Sequence, residues 1–168
     1  LEHGHIRRVE YLKETVRQGS GLDADRMLSQ EAMQLGWDCL ARFSERLSGF
    51  GPNFVRAVAT QTLREAKNRD EFLSHAEKLL GFPIEVISGR EEARLIYSGV
   101  VNLLPQSEEK RLVVDIGGRS TEIILGSGFK PKTMESYRVG SVKWSMKYFP
   151  DGEFSASSFD WAEVAAKA

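Results

Sequence analysis

Short apolar runs hand over repeatedly to segments of helical period, and this alternation restricts the possible folds more than any other feature of the sequence. In the charged stretch Ile6 to Val16 the β-branched and aromatic residues fall on both parities, which predicts an edge-type strand. Beyond the Gly19-Ser20-Gly21 loop, Ser29 is placed to cap a helix whose Ala32, Leu35, Cys39, Leu40, Phe43 and Leu47 recur at helical spacing, ending at Gly49. After Gly51-Pro52, the run Phe54 to Thr60 reads as a buried strand. Asp70 can cap the next helix, which carries Phe72, Leu73, Ala76, Leu79 and Leu80 and stops at Gly81-Phe82-Pro83. Pro83 to Ser88 is a strand, and Ser88 to about Leu104 a helix with Ala93, Ile96, Tyr97, Val100 and Val101 on its apolar face. The order βαβαβα predicts a layered α/β fold with helices covering a mixed sheet.

At Pro105-Gln106-Ser107 and the charged residues Glu108 to Arg111 the composition shifts to that of a solvated linker. This places a first lobe at residues 1–109 and the start of a second at 110–168. In the second, Leu112 to Ile116, Thr121 to Leu125 and Pro131 to Val139 form a β-meander, followed by helices at Ser141 to Phe149 and Ser158 to Ala168.

Composition narrows the function classes. Lys and Arg total 23 against 24 Asp and Glu, so no global basic field points to nucleic acid or an acidic membrane, and any anion site must be local. The single cysteine, Cys39, has no internal disulfide partner, and no apolar run reaches the roughly 20 residues of a membrane helix, which together suggest a cytoplasmic protein. Residues Leu1 to His5 lack the basic and apolar regions of a secretion signal and read as a cut end.

Three segments carry chemistry. In Val113-Val114-Asp115-Ile116-Gly117-Gly118-Arg119-Ser120-Thr121-Glu122 a carboxylate emerges where an apolar strand meets a glycine turn. Glycines tolerate positive φ and allow backbone N–H groups close to a phosphate, Ser120 and Thr121 can add hydroxyl donors, and Asp115 and Glu122 can hold a hydrated Mg²⁺. The structural alternative is a hairpin closed by a glycine turn. Ile87-Ser88-Gly89-Arg90-Glu91-Glu92-Ala93-Arg94 sets paired acids in the first turn of a helix, where the macrodipole favours them by about 0.3–1 kcal/mol whatever their function. A functional acid there would orient and deprotonate an attacking water. In Ala59-Thr60-Gln61-Thr62-Leu63-Arg64 a strand exits into a helix, the place where open α/β sheets bind ligands. Thr60 and Thr62 can donate to phosphate oxygens and Arg64 can pair with one bidentately; an N-cap with a surface arginine is the alternative.

Other residues carry less. His3 and His5 sit at a terminus where solvated side chains are the rule, His75 reads as surface, and Cys39 lies on an apolar helix face as an inert packing group. Trp37, Trp144 and Trp161 read as packing residues. Residues 130–147 hold Lys130, Lys132, Arg138, Lys143 and Lys147 against Glu135, a solvated face by default or a track for a polyanion.

With these segments in view, the chain resembles the exopolyphosphatase and guanosine pentaphosphate phosphatase (Ppx/GppA) family. Thr60 to Arg64, Ile87 to Tyr97 and Val114 to Glu122 occur in family order, and the likeness extends from about residue 12 to 155 through quieter stretches such as Met27 to Met33 and Arg138 to Val142. The resemblance implies an actin-like (ribonuclease H-like), two-lobed α/β fold with the active site in the cleft. It implies Glu92 as catalytic base with Glu91 its neighbour, and Asp115 and Glu122 as the carboxylates that organise Mg²⁺. Gly117, Gly118, Arg119, Ser120 and Thr121 would be the second-lobe phosphate loop, with Arg64 and Thr62 binding phosphate from the first lobe. The implied reaction is Mg²⁺-dependent, K⁺-stimulated hydrolysis of the terminal phosphoanhydride of inorganic polyphosphate, releasing orthophosphate. Guanosine pentaphosphate is the alternative substrate, and a homodimer the expected assembly.

Two departures from the family pattern matter. Arg119 stands where the family loop has a third glycine; at positive φ an arginine there would be strained, and otherwise its guanidinium can contact phosphate or an acid. The Asp-x-Gly-Ser-Asn-Ser loop with which the family opens has no counterpart before Ile6, and the chain stops soon after the second lobe's first helix. Both lobes therefore read as incomplete, and the expectation is a chain that is catalytically poor alone within a parent protein that is the enzyme. A non-catalytic polyphosphate or alarmone sensor and an ATP-dependent kinase are the competing classes.

Overall fold

The computed structural model describes residues 10–105 and 107–167. They group into two compact units, residues 10–88 and residues 89–167.

In residues 10–88, helix α1 (Gln30–Leu47) begins where the Ser29 side chain accepts from the Ala32 N–H at 3.2 Å, as its sequence position predicts. Such a cap contributes roughly 1 kcal/mol. Strand β1 (Ala57–Ala59), helix α2 (Gln61–Glu65), helix α3 (Arg69–Leu80) and strand β2 (Ile84–Val86) follow. β1 and β2 pair in parallel, Ala57 opposite Ile84 and Ala59 opposite Val86. The core joins Leu22, Leu28, Ala32, Met33, Leu63, Ala66, Phe72 and Ala76. Helices α1 and α3 meet at Gly36, where a Cβ would stand 2.8 Å from the Phe72 ring, and the Trp37 Nε1–H donates to the Phe72 carbonyl at 3.0 Å.

Several expectations are corrected here. Residues 10–16 form no strand: they belong to no β-ladder among the described residues, and they are tied to α1 by ion pairs from Glu14 to Arg42 and Glu10 to Arg46. Residues 6–9 of that expected strand, and His3 and His5, lie outside the described residues. The run Phe54 to Thr60 is a strand only over its last part. Pro52–Phe54 is a 3-10 turn and Phe54 is 83% exposed, because proline at the start of the turn fixes a helical φ. Asp70 is in the first turn of α3 and does not cap it. Leu35 points outward from α1, whose buried stripe runs instead through Ala32, Met33, Gly36 and Cys39.

In residues 89–167, helix α4 (Gly89–Leu103) lies on an antiparallel meander of β3 (Lys110–Ile116), β4 (Thr121–Ser127) and β5 (Lys130–Tyr137), with α5 (Ser141–Tyr148) and α6 (Ala156–Lys167) beyond. Ala93, Tyr97 and Val101, one helical turn apart, are buried against Ile124. The Tyr97 hydroxyl donates to the Gly128 carbonyl at 3.0 Å, and a Cβ at Gly126 would stand 2.4 Å from the Tyr97 ring, so the tyrosine requires glycine beneath it. Helix α4 shares its core with the meander, and the compact units divide at Ser88/Gly89. Parallel and antiparallel pairing occur in separate sheets rather than in one mixed sheet. Trp161, expected to pack, is 69% exposed on α6.

Candidate functional site

The glycine loop closes on itself. The Gly117 N–H donates to the Ser120 carbonyl at 2.9 Å, turning β3 into β4 so that Asp115 stands opposite Glu122 and Ile116 opposite Thr121. Directly paired residues of an antiparallel ladder share a face. The two carboxylates thus lie on the side that carries Ile124 toward α4, Asp115 exposed and Glu122 only 1% exposed. The Ser136 hydroxyl from β5 donates to Glu122 Oε1 at 2.8 Å. A buried carboxylate needs such a partner. Two carboxylates on one face are the kind of donor set that could hold a hydrated Mg²⁺, which takes one or two carboxylates and completes its shell with water and phosphate oxygens. Among the described residues no group of three or more His, Cys, Asp or Glu assembles into a larger metal site.

The far side of the loop is fused to α5. The N–H groups of Ser141 and Val142 donate to the Gly117 and Gly118 carbonyls, each at 2.9 Å, and that of Lys143 to Gly118 at 3.0 Å. These are first-turn amides that every helix leaves without an internal acceptor. The loop supplies their acceptors, and the N-cap Gly140 makes no side-chain cap. Gly140 matters instead for close approach, since a Cβ there would fall 2.3–2.4 Å from the Arg119 backbone. Neither Gly117, Gly118 nor Arg119 has positive φ, so the arginine at the third glycine position carries no left-handed strain. The two loop glycines likewise make room, a Cβ at Gly117 meeting the Ser120 carbonyl at 3.1 Å and one at Gly118 meeting Val142 at 3.3 Å. Ser120 is buried, and Thr121 donates its hydroxyl to the Val139 carbonyl at 2.5 Å.

Glu91 and Glu92 occupy the first turn of α4, as expected. Both Glu91 oxygens are engaged by Arg94, from Nε and Nη2 at 2.7 Å each, and this contact raises the arginine's pKa. Glu91 is thus committed to an i,i+3 ion pair within the helix.

In residues 10–88, Arg64 stands at the carboxyl ends of β1 and β2. Its Nη1 donates to the Ile87 carbonyl at 2.7 Å, just past β2, while the Ile87 N–H reaches the Ala59 carbonyl at the end of β1 at 3.0 Å. The arginine is half-buried, more enclosed than a surface side chain. Thr62 borders an apolar hollow of about 290 Å³ with Thr60, Cys39, Leu63 and Phe72. Lys130, Lys132, Arg138 and Lys147 are exposed and Lys143 half-buried. Sequence reasoning missed Ser136, Gly140 and the amide of Gln61, which accepts from Arg64. Of these only Gln61 left a readable signal, its i,i+3 and i,i+4 spacing from Arg64 and Glu65.

Residues 89–167 thus carry a glycine loop with two opposed carboxylates, and residues 10–88 an arginine fixed at strand carboxyl ends, in an α/β protein. The chain belongs to the Ppx/GppA phosphatase family, whose model matches residues 1–168. It is 48% identical, over 98% of its length, to a guanosine-5'-triphosphate,3'-diphosphate pyrophosphatase of Vibrio vulnificus, of which it spans 33%. Among solved structures it is similar to an exopolyphosphatase-like protein (27% identity, TM-score 0.83, 92% of this chain and 49% of that one). It is also similar to the Aquifex aeolicus PPX-GPPA enzyme (30% identity, TM-score 0.66, 80% and 45%) and to an exopolyphosphatase from Cytophaga hutchinsonii (30%, 0.67, 74% and 40%). The chain spans about a third of the curated relative and about half or less of these solved chains.

Proposed function

We propose that the full-length protein carrying this segment hydrolyses a terminal phosphoanhydride and releases orthophosphate. The observation that carries the reading is the family match over the whole chain; the resemblance of the Arg64, Glu92 and Asp115 to Glu122 segments to the family motifs supports it. Glu92 is the general base: it takes a proton from water as the water oxygen bonds to the terminal phosphorus. The bond from that phosphorus to the bridging oxygen then breaks, and the shortened phosphate leaves with the electron pair. Arg64 and the Gly117 to Thr121 turn hold the anionic phosphates. Asp115 and Glu122 would hold Mg²⁺, which when bound neutralises phosphate charge.

Inorganic polyphosphate and guanosine pentaphosphate both present such a terminal bond. The second is favoured by the activity for which the Vibrio relative is named, at 48% identity, and the first by exopolyphosphatase structures at 27–30%. Orthophosphate release from each substrate with Mg²⁺, by the full-length protein and its Glu92→Gln variant, tests the reading. A loss of about 10²–10⁴-fold in kcat with retained substrate binding is the expected result for removing a general base. Equal turnover by both proteins removes Glu92 from that role, and tight binding without turnover by either moves the protein to the sensor class.

A further inference from the structure

We infer that Gln61 is a positioning residue for Arg64, and that Glu65 fixes the amide of Gln61 in the orientation this requires. The inference rests on the reading of Arg64 as a phosphate-binding group. Arg64 Nη2 donates to Gln61 Oε1 at 2.6 Å, and Gln61 Nε2 donates to Glu65 Oε1 at 2.6 Å. A guanidinium only donates and a carboxylate only accepts, so a group bridging the two must offer an acceptor to one and a donor to the other. A carboxamide does so in a single orientation, and the opposite flip would break both bonds. Gln61 is 8% exposed, so solvent is a poor substitute for either contact.

The sequence dictates this relay. Arg64 and Glu65 are neighbours on α2, and adjacent residues of a helix do not face one another, whereas Gln61 precedes them by three and four positions and faces both. Glu65 polarises the amide, the amide holds one arm of the guanidinium and the Ile87 carbonyl holds the other. The amide and the carbonyl thereby fix the two arms of the fork. Buried Gln61 thus reads as a device for orienting the guanidinium.

The test is steady-state orthophosphate release by the full-length protein from the substrate it prefers. Gln61→Met, which keeps the length and removes both bonds, is expected to raise KM about tenfold, the equivalent of about 1.4 kcal/mol, with kcat within about twofold. Arg64→Ala is expected to raise KM at least as much. The double variant should match Arg64→Ala alone, because Gln61 acts only through the arginine, whereas a merely structural role would add its own loss. If Gln61→Met does not fold, Glu65 decides: Glu65→Gln retains an acceptor and stays within about twofold of the parent in KM, and Glu65→Leu raises it. An unchanged KM in Gln61→Met, additive losses in the double variant, or Glu65→Leu equal to Glu65→Gln overturns the inference. An unchanged KM in Arg64→Ala overturns instead the reading of Arg64 on which it rests.

Discussion

At the residue scale the glycine loop turns on a group that its own motif does not contain. Arg119 replaces a family glycine without entering positive φ, whereas Gly140, far along the chain, is the residue whose missing Cβ lets α5 sit on the Arg119 backbone. Gly140→Ala must push that backbone away. It should cost about 1–3 kcal/mol, the usual penalty of overpacking, read as a lower Tm by circular dichroism. Gly99→Ala, in the exposed part of α4 with nothing within 4 Å of the new methyl, should instead stabilise by about 0.5–1 kcal/mol. Equal effects of the two would mean that Gly140 is not a contact point. The loop itself is legible as a motif, and so are its carboxylates. Gly140 and Ser136 are not, because a close approach or a hydrogen bond to a residue of another strand leaves no local pattern. Cys39 is legible as a packing group. Burial, and then the charge and hydrogen bond of Glu14, push its thiol above the ordinary value, so alkylation at pH 8 should be slower than that of an exposed cysteine. Full exposure in urea should restore the ordinary rate.

At the element scale, the helices are legible in the sequence and the short strands less so. A helix of 15 residues or more repeats its apolar period several times, as α1 and α4 do, whereas β1 is three residues long and leaves periodicity little to work with. The segment at residues 10–16 has strand-forming residues but no ladder partner among the described residues, and its side chains bind α1 instead. There the Arg42 guanidinium lowers the Glu14 pKa, Nε lying 3.1 Å from Oε2. A carboxylate whose pKa falls on folding stabilises the fold above its unfolded pKa, and that contribution is lost as pH falls through the lowered folded value. The hydrogen-exchange protection factors of residues 10–16, which allow for the slowing of intrinsic exchange in acid, should therefore fall on acidification below the ordinary carboxylate range, and Glu14→Gln should remove that acid response. Helix α4 offers a sharper test of element packing. Tyr97→Phe leaves the ring in place but strips the Gly128 carbonyl of its donor, an expected loss of about 1–2 kcal/mol in urea unfolding.

At the scale of the whole molecule, the meander is finished on one face only. Alternate residues of β3 and β4 point away from α4, and on that side Leu112 is 65% exposed, Val114 50%, Ile116 69%, Ile123 37% and Leu125 40%. The sequence announces this in part, because the unbroken run Leu112 to Val114 is what a strand buried on both faces would carry. It cannot announce what lies against each face, since that depends on elements distant in the chain: α4 comes from before the meander, not from after it. Contiguous apolar surface of this kind is unusual on a soluble monomer. The 168-residue chain on its own should accordingly enhance the fluorescence of an apolar dye such as ANS while retaining native far-ultraviolet dichroism. It should also elute from a sizing column as more than a monomer. Val114 and Ile123 are cross-strand partners, so Val114→Lys with Ile123→Glu places an opposed charge pair in the middle of the face at little cost to the ladder. That double variant should lose most of the dye signal and shift toward the monomer. Persistence of both signals would place the exposed apolar surface elsewhere, with α6 and its Phe159, Trp161 and Val164 the next element to charge.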